Sequence, residues 1–232
     1  MKFPDPLIRG TLERRYKRFM ADVTLENGDT VVAHCANPGS LLTSKESGSE
    51  VWLSPARNPD RKLKFTWELI RVGRSLVGIN TAHPNALVAD AITKGKITEL
   101  TGADSLRREV KYGKNSRIDI LLETDGKLTY VEVKNVTFSR EKGLAEFPDS
   151  VTARGAKHLV ELADMVALGH RAVMLYLVQR QDCKSLSVAA DIDPVYAEAL
   201  ATAKAAGVET LCYCCKMSAK EIRVDRALPV NF

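Results

Sequence analysis

The sequence predicts an α/β protein in which a small closed β-barrel precedes a domain of alternating helices and strands. Two observations divide the 232 residues in this way. Up to residue 82, short strand-like segments follow one another between turns, and no segment has a convincing helical pattern. From His83 onward, helical segments alternate with apolar strands, which is typical of an α/β fold. We therefore expect residues 1–82 and 83–232 to form two domains.

The strongest local signal in the first domain is a hairpin centred on Asn27-Gly28. The segments Arg18–Leu25 and Thr30–Cys35 flank this dipeptide, which favours a two-residue turn between antiparallel strands. Further strand candidates, separated by turn-rich pieces, are Glu50–Leu53, Lys64–Ile70 and Ser75–Ile79. About five short strands without a helix are typical of a barrel of the oligonucleotide-binding (OB) kind.

Proline and glycine mark the helices of the second domain. The pattern predicts three helices, one opened by Pro84 and ended at Gly95, then Ser150–Leu168 and Pro194–Ala206. Strands are predicted at 117–123, 128–134, 172–178 and 208–215. Because residues 172–178 are continuously apolar, we expect them to form a central strand covered on both faces.

The dipeptide Asp125-Gly126 predicts the register of strands 117–123 and 128–134. A two-residue hairpin here pairs residue i with residue 251 − i. Asp119 then faces Glu132, and side chains opposed in this way lie ~4.5–5.5 Å apart at Cβ. Because the neighbouring residues are apolar, these two carboxylates repel each other in surroundings that are not freely solvated.

A bound divalent cation resolves this repulsion by supplying positive charge between the two acids. Glu132 and Lys134 project from the same strand face, and the carbonyl of Val133 between them is a further hard oxygen ligand. Asp90, on the first predicted helix, is a candidate to complete the acidic cluster. We therefore expect Mg²⁺ or Mn²⁺ bound by Asp119, Glu132, Val133 and Asp90, an arrangement suited to phosphodiester hydrolysis.

Three of these residues are candidates for catalysis: Asp119, Glu132 and Lys134. The two acids hold a metal that polarises a phosphoryl oxygen and orients a water, while Lys134 stabilises developing charge or helps to deprotonate that water. The alternative is structural, because in a surface ladder Lys134 would only neutralise a nearby acid. The residues alone leave both interpretations open.

Two basic segments are candidates for contact with DNA. The run Arg14, Arg15, Tyr16, Lys17 and Arg18 combines cations that neutralise phosphates with a ring that stacks on bases, although Tyr16 is equally a core candidate. The second helix carries cations on one face near its N-terminus, where they oppose the helix dipole. A solvated polar face is the alternative there. The remaining candidates are Arg117, Arg154, Lys157 and His158.

Composition and charge limit the classes of protein to which the chain can belong. Hydrophobic residues make up 45% and charged residues 27%, which excludes a disordered or collagen-like chain. The net charge is +5, of which residues 1–82 carry +4, a mild indication of a polyanionic partner. No apolar run approaches the ~20 residues of a membrane span, and the start lacks a signal-peptide core. With scattered cysteines, this predicts a cytoplasmic protein that does not bind membranes, and the candidate DNA contacts add an expected association with the nucleoid.

Several motifs resemble the sugar fermentation stimulation protein A family along nearly the whole chain. They are RRYKRFMADV, HCANPGS, TWEL, PNALVADAI, EVKYGKNSRIDILLE, YVEVKNVT, FPDSVTARGAKHLVEL and LPV. The resemblance implies an OB-like barrel followed by a PD-(D/E)xK nuclease-like domain with a mixed central sheet, in which Asp119, Glu132 and Lys134 match the nuclease-like signature. Asp90 stands where this family usually has Glu, and Ser40-Leu41 stand where relatives often carry Met.

The resemblance also implies a function, namely non-specific DNA binding linked to the regulation of sugar (maltose) use. Two hypotheses follow. The first is a DNA-binding protein with a Mg²⁺-dependent nuclease site, and the second is a non-enzymatic DNA-binding regulator that keeps the nuclease fold without cleavage. The intact set Asp119, Glu132 and Lys134 favours the first. The oligomeric state stays open, with a homodimer among the possibilities.

Overall fold

Six strands form the N-terminal barrel in the computed structural model, which describes residues 1–113 and 115–231. They are β1 (Ile8–Tyr16), β2 (Met20–Leu25), β3 (Thr30–His34), β4 (Glu50–Pro55), β5 (Phe65–Val72) and β6 (Ser75–Gly78). The sheet order is β3-β2-β1-β4-β5-β6, and a further pairing of β3 with β5 closes the barrel around Leu12, Val23, Leu53 and Trp67. The predicted barrel is confirmed.

Strand β1 is absent from the sequence prediction, which treated part of it only as a basic segment. Its buried positions are Gly10 and Leu12, and the rest of the strand is exposed or half-buried. Gly10 permits a close approach, because a Cβ there would lie 2.6 Å from a methyl carbon of Val23 on β2.

The C-terminal domain is a mixed six-stranded sheet with helices on both faces. Its helices are α1 (Pro84–Thr93), α2 (Ala153–Ala167) and α3 (Pro194–Ala205). Its strands are β7 (Ser105–Tyr112), β8 (Ser116–Thr124), β9 (Lys127–Val136), β10 (Leu144–Phe147), β11 (Arg171–Val178), β12 (Ser185–Val188), β13 (Glu209–Met217), β14 (Ile222–Ala227) and β15 (Val230–Asn231). The main sheet has the order β14-β13-β11-β9-β8-β7, with β9, β11 and β13 parallel, while β10, β12 and β15 form a small parallel sheet.

The predicted register of the β8–β9 hairpin is confirmed from Thr124↔Lys127 to Ile120↔Val131, each pair of numbers adding to 251. Asp125 and Gly126 adopt φ of 49° and 74°, as a tight two-residue hairpin turn requires. The turn chemistry therefore determines where the acids of the two strands lie.

Strand β11 lies at the centre of the main sheet and separates two apolar cores. On one side α1 packs against Val173 and Leu175, and on the other α2 and α3 pack against Met174 and Tyr176. This confirms the prediction that residues 172–178 are covered on both faces. None of the helices within residues 1–113 and 115–231 is long and apolar enough to span a membrane.

The two domains share an interface. Trp52 and Leu69 of the barrel belong to the same apolar core as α1. The N–H of Gly78 donates to the carbonyl of Gln179 at 2.9 Å. The chain start also contacts the C-terminal domain, since Met1 and Ile222 exchange backbone hydrogen bonds. The barrel is therefore fixed against the sheet that carries the acid pair.

Candidate active site

Strands β8 and β9 bring the two predicted acids together at the point where their backbone pairing ends. The backbone pairing of β8 with β9 ends at Ile120↔Val131. Beyond it, the side-chain carboxylate of Asp119, instead of a backbone carbonyl of β8, accepts the next hydrogen bond from β9. Its Oδ2 accepts a hydrogen bond from the N–H of Val133 at 2.7 Å. Asp119 is half-buried and Glu132, the residue before Val133, is only 2% exposed. The hairpin thus places two carboxylates at one partly enclosed spot.

Asn85, which the sequence analysis missed, connects helix α1 to this spot. Its amide nitrogen donates to Asp119 Oδ1 at 2.8 Å and to Glu109 Oε1 at 3.1 Å. Glu109 lies on β7 with φ of 55°, an uncommon conformation for a residue with a side chain. The signal that could have identified Asn85 is its position: it is a polar residue directly after Pro84, in the first turn of the predicted helix.

Asp90, the predicted helix acid, points elsewhere. It is five residues from Asn85, which turns it about 140° around the helix. It is exposed, and its carboxylate pairs with Lys94 at 2.8 Å. The structure therefore does not bring Asp90 into contact with Asp119 or Glu132.

The two carboxylate oxygens of Glu132 have different surroundings. Oε1 accepts hydrogen bonds from Lys134 Nζ, at 2.7 Å, and from His158 Nδ1. Oε2 is buried and has no hydrogen-bond partner among residues 1–113 and 115–231. A buried carboxylate oxygen without a donor is costly, so the site provides a position for a positively charged ligand.

His158 is buried against the acid pair, 4% exposed, and does not lie on the exposed helix face that the sequence analysis expected to contact DNA. Arg154 donates to His158 Nε2 at 3.3 Å, which assigns the ring hydrogen to Nδ1 and makes His158 a donor to Glu132. Arg154, Lys157 and His158 do share one face of α2, as their spacing predicted. Part of that face, including His158, is covered by the sheet, while Arg154 and Lys157 remain exposed.

The carboxyl groups of Asp119 and Glu132 differ in acidity. Burial and the charge of Glu132 raise the pKa of Asp119 to about 6, against the hydrogen bond from Val133 and the charge of Lys134. Burial also acts to raise the pKa of Glu132, but the hydrogen bond from His158 and the charge and hydrogen bond of Lys134 outweigh it and lower that pKa below its usual value. At neutral pH, both acids carry negative charge.

The donor set fits a hard divalent cation that keeps some of its water. Within the described ranges, no three His, Cys, Asp or Glu side chains gather into a metal-binding group. Asp119 and Glu132 therefore act as a pair of carboxylates, and Mg²⁺ is commonly held by one or two carboxylates together with waters and substrate oxygens. The unpartnered oxygen of Glu132 is the observation that supports such an ion here.

The N-terminal basic run separates into structural and exposed members. Arg15 donates to the carbonyls of Asn37, Gly39 and Ser40 at 2.8–3.1 Å, so its guanidinium holds a loop rather than facing DNA. Arg14 pairs with Asp22 at 2.8 Å and lies 4.9 Å over the ring of Tyr16. Lys17 and Arg18 are exposed in the turn before β2.

Further cations flank the acid pair. Arg117 is exposed and donates to the carbonyl of Glu109 at 3.2 Å. Lys157 on α2 reaches Ser116 at 3.2 Å. Arg108 and Lys111, which the sequence analysis did not name, are exposed on the edge strand β7. The strands and the helix that carry the candidate site therefore also carry exposed positive charges.

Comparisons with known proteins agree along the whole chain. The family model described as the SfsA N-terminal OB domain matches residues 14–79, and the Sugar fermentation stimulation protein RE domain matches residues 82–221. A sugar fermentation stimulation protein homolog of Paramagnetospirillum magneticum is 57% identical over 232 residues, covering 100% of this chain and 98% of that protein. The homolog of Rhodospirillum rubrum is 58% identical over 242 residues, covering 99% of each.

A solved structure extends the likeness to three dimensions. Pyrococcus furiosus SfsA, in complex with Ca²⁺, matches with a TM-score of 0.90 at 26% identity, covering 100% of this chain and 98% of that chain. The chain therefore belongs to the sugar fermentation stimulation protein family, in which an N-terminal OB domain precedes the RE domain.

Proposed function

We propose that this protein binds DNA without sequence specificity and hydrolyses its phosphodiester bonds with a divalent metal ion, Mg²⁺ or Mn²⁺. The observation that carries the proposal is the buried, unpartnered Oε2 of Glu132 beside the carboxylate of Asp119. Two acids and a lysine at the end of a paired hairpin suit hydrolysis of a phosphodiester better than they suit stability, because the acids repel each other.

The proposed metal ligands are Asp119, Glu132 and the carbonyl of Val133. The N–H of Val133 points toward β8, where Asp119 accepts it, and the N–H and carbonyl of one strand residue project to the same edge. All three ligands are hard oxygen donors, as such an ion prefers. When bound, the ion supplies Lewis-acid activation of a phosphoryl oxygen and of a water. The related Pyrococcus protein was solved with Ca²⁺, which takes the same kind of ligands.

Side chains of the protein itself orient the two acids and stabilise negative charge on the substrate. Lys134 lies 2.7 Å from Glu132 and is 14% exposed, so its ammonium reaches the site while remaining largely desolvated. There it stabilises negative charge that develops on a phosphate. His158 fixes Glu132 through Oε1, which leaves Oε2 for the ion, and Asn85 fixes Asp119.

The proposed DNA surface uses exposed cations of the turn before β2, of β8 and of α2: Lys17, Arg18, Arg117, Arg154 and Lys157. Their contacts are to phosphates, which gives affinity without sequence information. An OB barrel is a fold that binds oligonucleotides on its strand face, which supports a single-stranded component in the interaction.

A second candidate is a DNA-binding regulator of sugar metabolism that does not cleave DNA. The observation that favours it is Asp90, which pairs with Lys94, so that only two of the three acids predicted as metal ligands lie at the site. The names of the relatives refer to sugar fermentation, which fits a regulatory role equally well.

A cleavage assay distinguishes these candidates. Wild-type protein is incubated with Mg²⁺ or Mn²⁺ and single-stranded, duplex or branched DNA, beside Asp119→Asn and Lys134→Met. We expect metal-dependent cleavage by the wild type, loss of cleavage in both variants, and DNA binding by all three. Asp90→Asn is the matched acid control and is expected to cleave. Binding without cleavage of any substrate by the wild type would favour the regulator.

A further inference from the structure

A cleft of about 360 Å³ lies where the barrel meets the C-terminal domain. The barrel side consists of Arg18, Asn37–Gly39 and Thr81. The other side consists of residues 135–138 at the end of β9 and residues 146–152 before α2. The cleft is therefore built by both domains, and neither forms it alone.

The cleft opens next to the candidate active site. Val136, in its wall, lies two residues beyond Lys134 on the same face of β9, which corresponds to ~7 Å along the strand. Thr152, also in the lining, caps helix α2, which carries His158. The cleft is therefore lined by the continuations of the strand and the helix that carry Lys134 and His158, at a distance of about two strand residues from Lys134.

The lining has the mixed character that suits a heterocyclic base. Phe147, Pro148 and Val151 form an apolar wall, and Val151 is 74% exposed. Asn135 accepts from Gln179 at 2.8 Å through its carbonyl oxygen, which leaves its amide hydrogens as donors. A flat ring with polar edges needs this combination of apolar contact and hydrogen-bonding groups.

Among the charged side chains of the lining, the two acids have partners and Arg18 is the group that suits a phosphate. Glu146 is already paired with Arg140 through several hydrogen bonds. Asp149 accepts from the N–H of Leu41 at 3.0 Å, so both acids are engaged. Arg18 is the lining cation, and among the described residues no hydrogen-bond or ion-pair partner approaches its guanidinium. It is therefore available to a phosphate.

The barrel wall of the cleft is fixed in place. Ser40 Oγ donates to the carbonyl of Asp149 at 2.6 Å, and Arg15 holds the same loop through its carbonyls. Gly39 is required by the close approach, because a Cβ there would lie 2.7 Å from the Asp149 carboxylate. Because this wall is already held in place, little conformational entropy is lost in ordering it when a ligand binds.

We propose that this cleft receives an unpaired base of the DNA, so that the neighbouring site acts on single-stranded or locally unpaired DNA rather than on continuous duplex. A base that remains stacked and paired cannot enter a cleft of this size. The inference deepens the proposed function by naming the substrate class, and it rests on that function for its link to cleavage.

The test measures binding in the absence of cleavage. Asp119→Asn protein, without added metal, is titrated into a single-stranded oligonucleotide carrying 2-aminopurine and into the same oligonucleotide in a duplex. We expect a change in 2-aminopurine fluorescence with the single strand and little change with the duplex. Adding Val151→Asp, which places a negative charge on an exposed cleft position, should weaken single-strand binding at least about fivefold, the loss of one base contact.

Val160→Asp is the matched control. Val160 is also exposed, at 58%, and lies on α2 outside the cleft, so it adds the same charge without touching the lining. Arg18→Asn is an independent variant that suits the left-handed backbone there, φ 63°, and is expected to weaken single-strand binding similarly.

Several outcomes would overturn the inference. One is an equal loss of affinity for the single strand in Val151→Asp and in Val160→Asp. Another is equal affinity of the parent protein for the single strand and the duplex. A third is a change in 2-aminopurine fluorescence that remains in Val151→Asp. Failure of the proposed catalysis gives a different pattern. In that case the binding differences persist, while wild-type protein with Mg²⁺ cleaves no DNA.

Discussion

Asn85 donates a hydrogen bond to Asp119 at 2.8 Å, and this contact ties helix α1 to the acid pair of the hairpin. The same amide group also reaches Glu109 at 3.1 Å, so it lies between two carboxylates from neighbouring strands. Asn85 therefore orients Asp119 and offsets part of the negative charge around it.

Replacing Asn85 with alanine should weaken metal binding and slow cleavage by about tenfold or more, the usual effect of losing a group that orients a ligand. Calorimetric titration with Mg²⁺ measures the first effect and a cleavage assay measures the second. Lys94→Ala, at the end of the same helix, removes the partner of Asp90 and should leave both unchanged. Equal effects of the two variants would mean that Asn85 supports the helix and not the site.

Asp119 should titrate with a pKa of about 6 in metal-free protein, because its partial burial and the charge of Glu132 both raise the pKa. Carbon NMR of the carboxyl group measures this directly. Glu132→Gln removes the neighbouring charge and should lower the value toward the usual 3.8. A wild-type pKa near 4 would contradict the combined effect of burial and of the neighbouring charge of Glu132.

The raised pKa of Asp119 also has a consequence for stability. Because the folded protein holds this proton more tightly than the unfolded chain, the free energy of unfolding contributed by Asp119 falls as pH rises from about 4 to about 6. Urea unfolding of wild type and Asp119→Asn across this range isolates the contribution by difference. Relative to the wild type, the free energy of unfolding of Asp119→Asn should increase as pH rises across this range. A difference between the two proteins that does not change with pH would contradict a raised pKa at Asp119.

Arg15 and Lys17 should have opposite phenotypes although both belong to the basic run. Arg15→Ala removes hydrogen bonds to three loop carbonyls and should lower the free energy of unfolding by about 1–3 kcal/mol. Lys17→Ala should change stability by less than about 0.5 kcal/mol, because the residue is exposed. Lys17→Ala should instead weaken DNA binding and reduce its salt dependence. Chemical unfolding and binding at two salt concentrations separate these effects, and a stable Arg15→Ala protein with lost DNA affinity would reverse the assignment.

Elements with a strong local signal were predictable from sequence. Asp125-Gly126 determined the hairpin register, and the continuous apolar run of β11 indicated a central strand. Strands β1 and β7 were missed because they are rich in charge and present few residues to a core, so tertiary pairing and not local pattern makes them strands. The short strands of the small sheet, β10, β12 and β15, carry too few residues to show periodicity.

The candidate site was predictable to the same extent. Asp119, Glu132 and Lys134 follow from one hairpin, whose geometry is local. The contributions of Asn85 and His158 depend on how α1 and α2 pack on the sheet, which a single sequence does not specify. The same packing directs Asp90 outward and turns His158 inward, which is why the expectations for these two helix residues differ from the structure.

The most direct test of metal-dependent hydrolysis is the cleavage rate measured as a function of Mg²⁺ concentration, for wild type and Glu132→Gln, on a labelled single-stranded DNA. We predict a rate that rises to saturation with Mg²⁺ in the wild type and is abolished by chelation, with no measurable cleavage by Glu132→Gln while both proteins bind the DNA. Cleavage that is equal in the two proteins, or that persists without metal, would contradict the account.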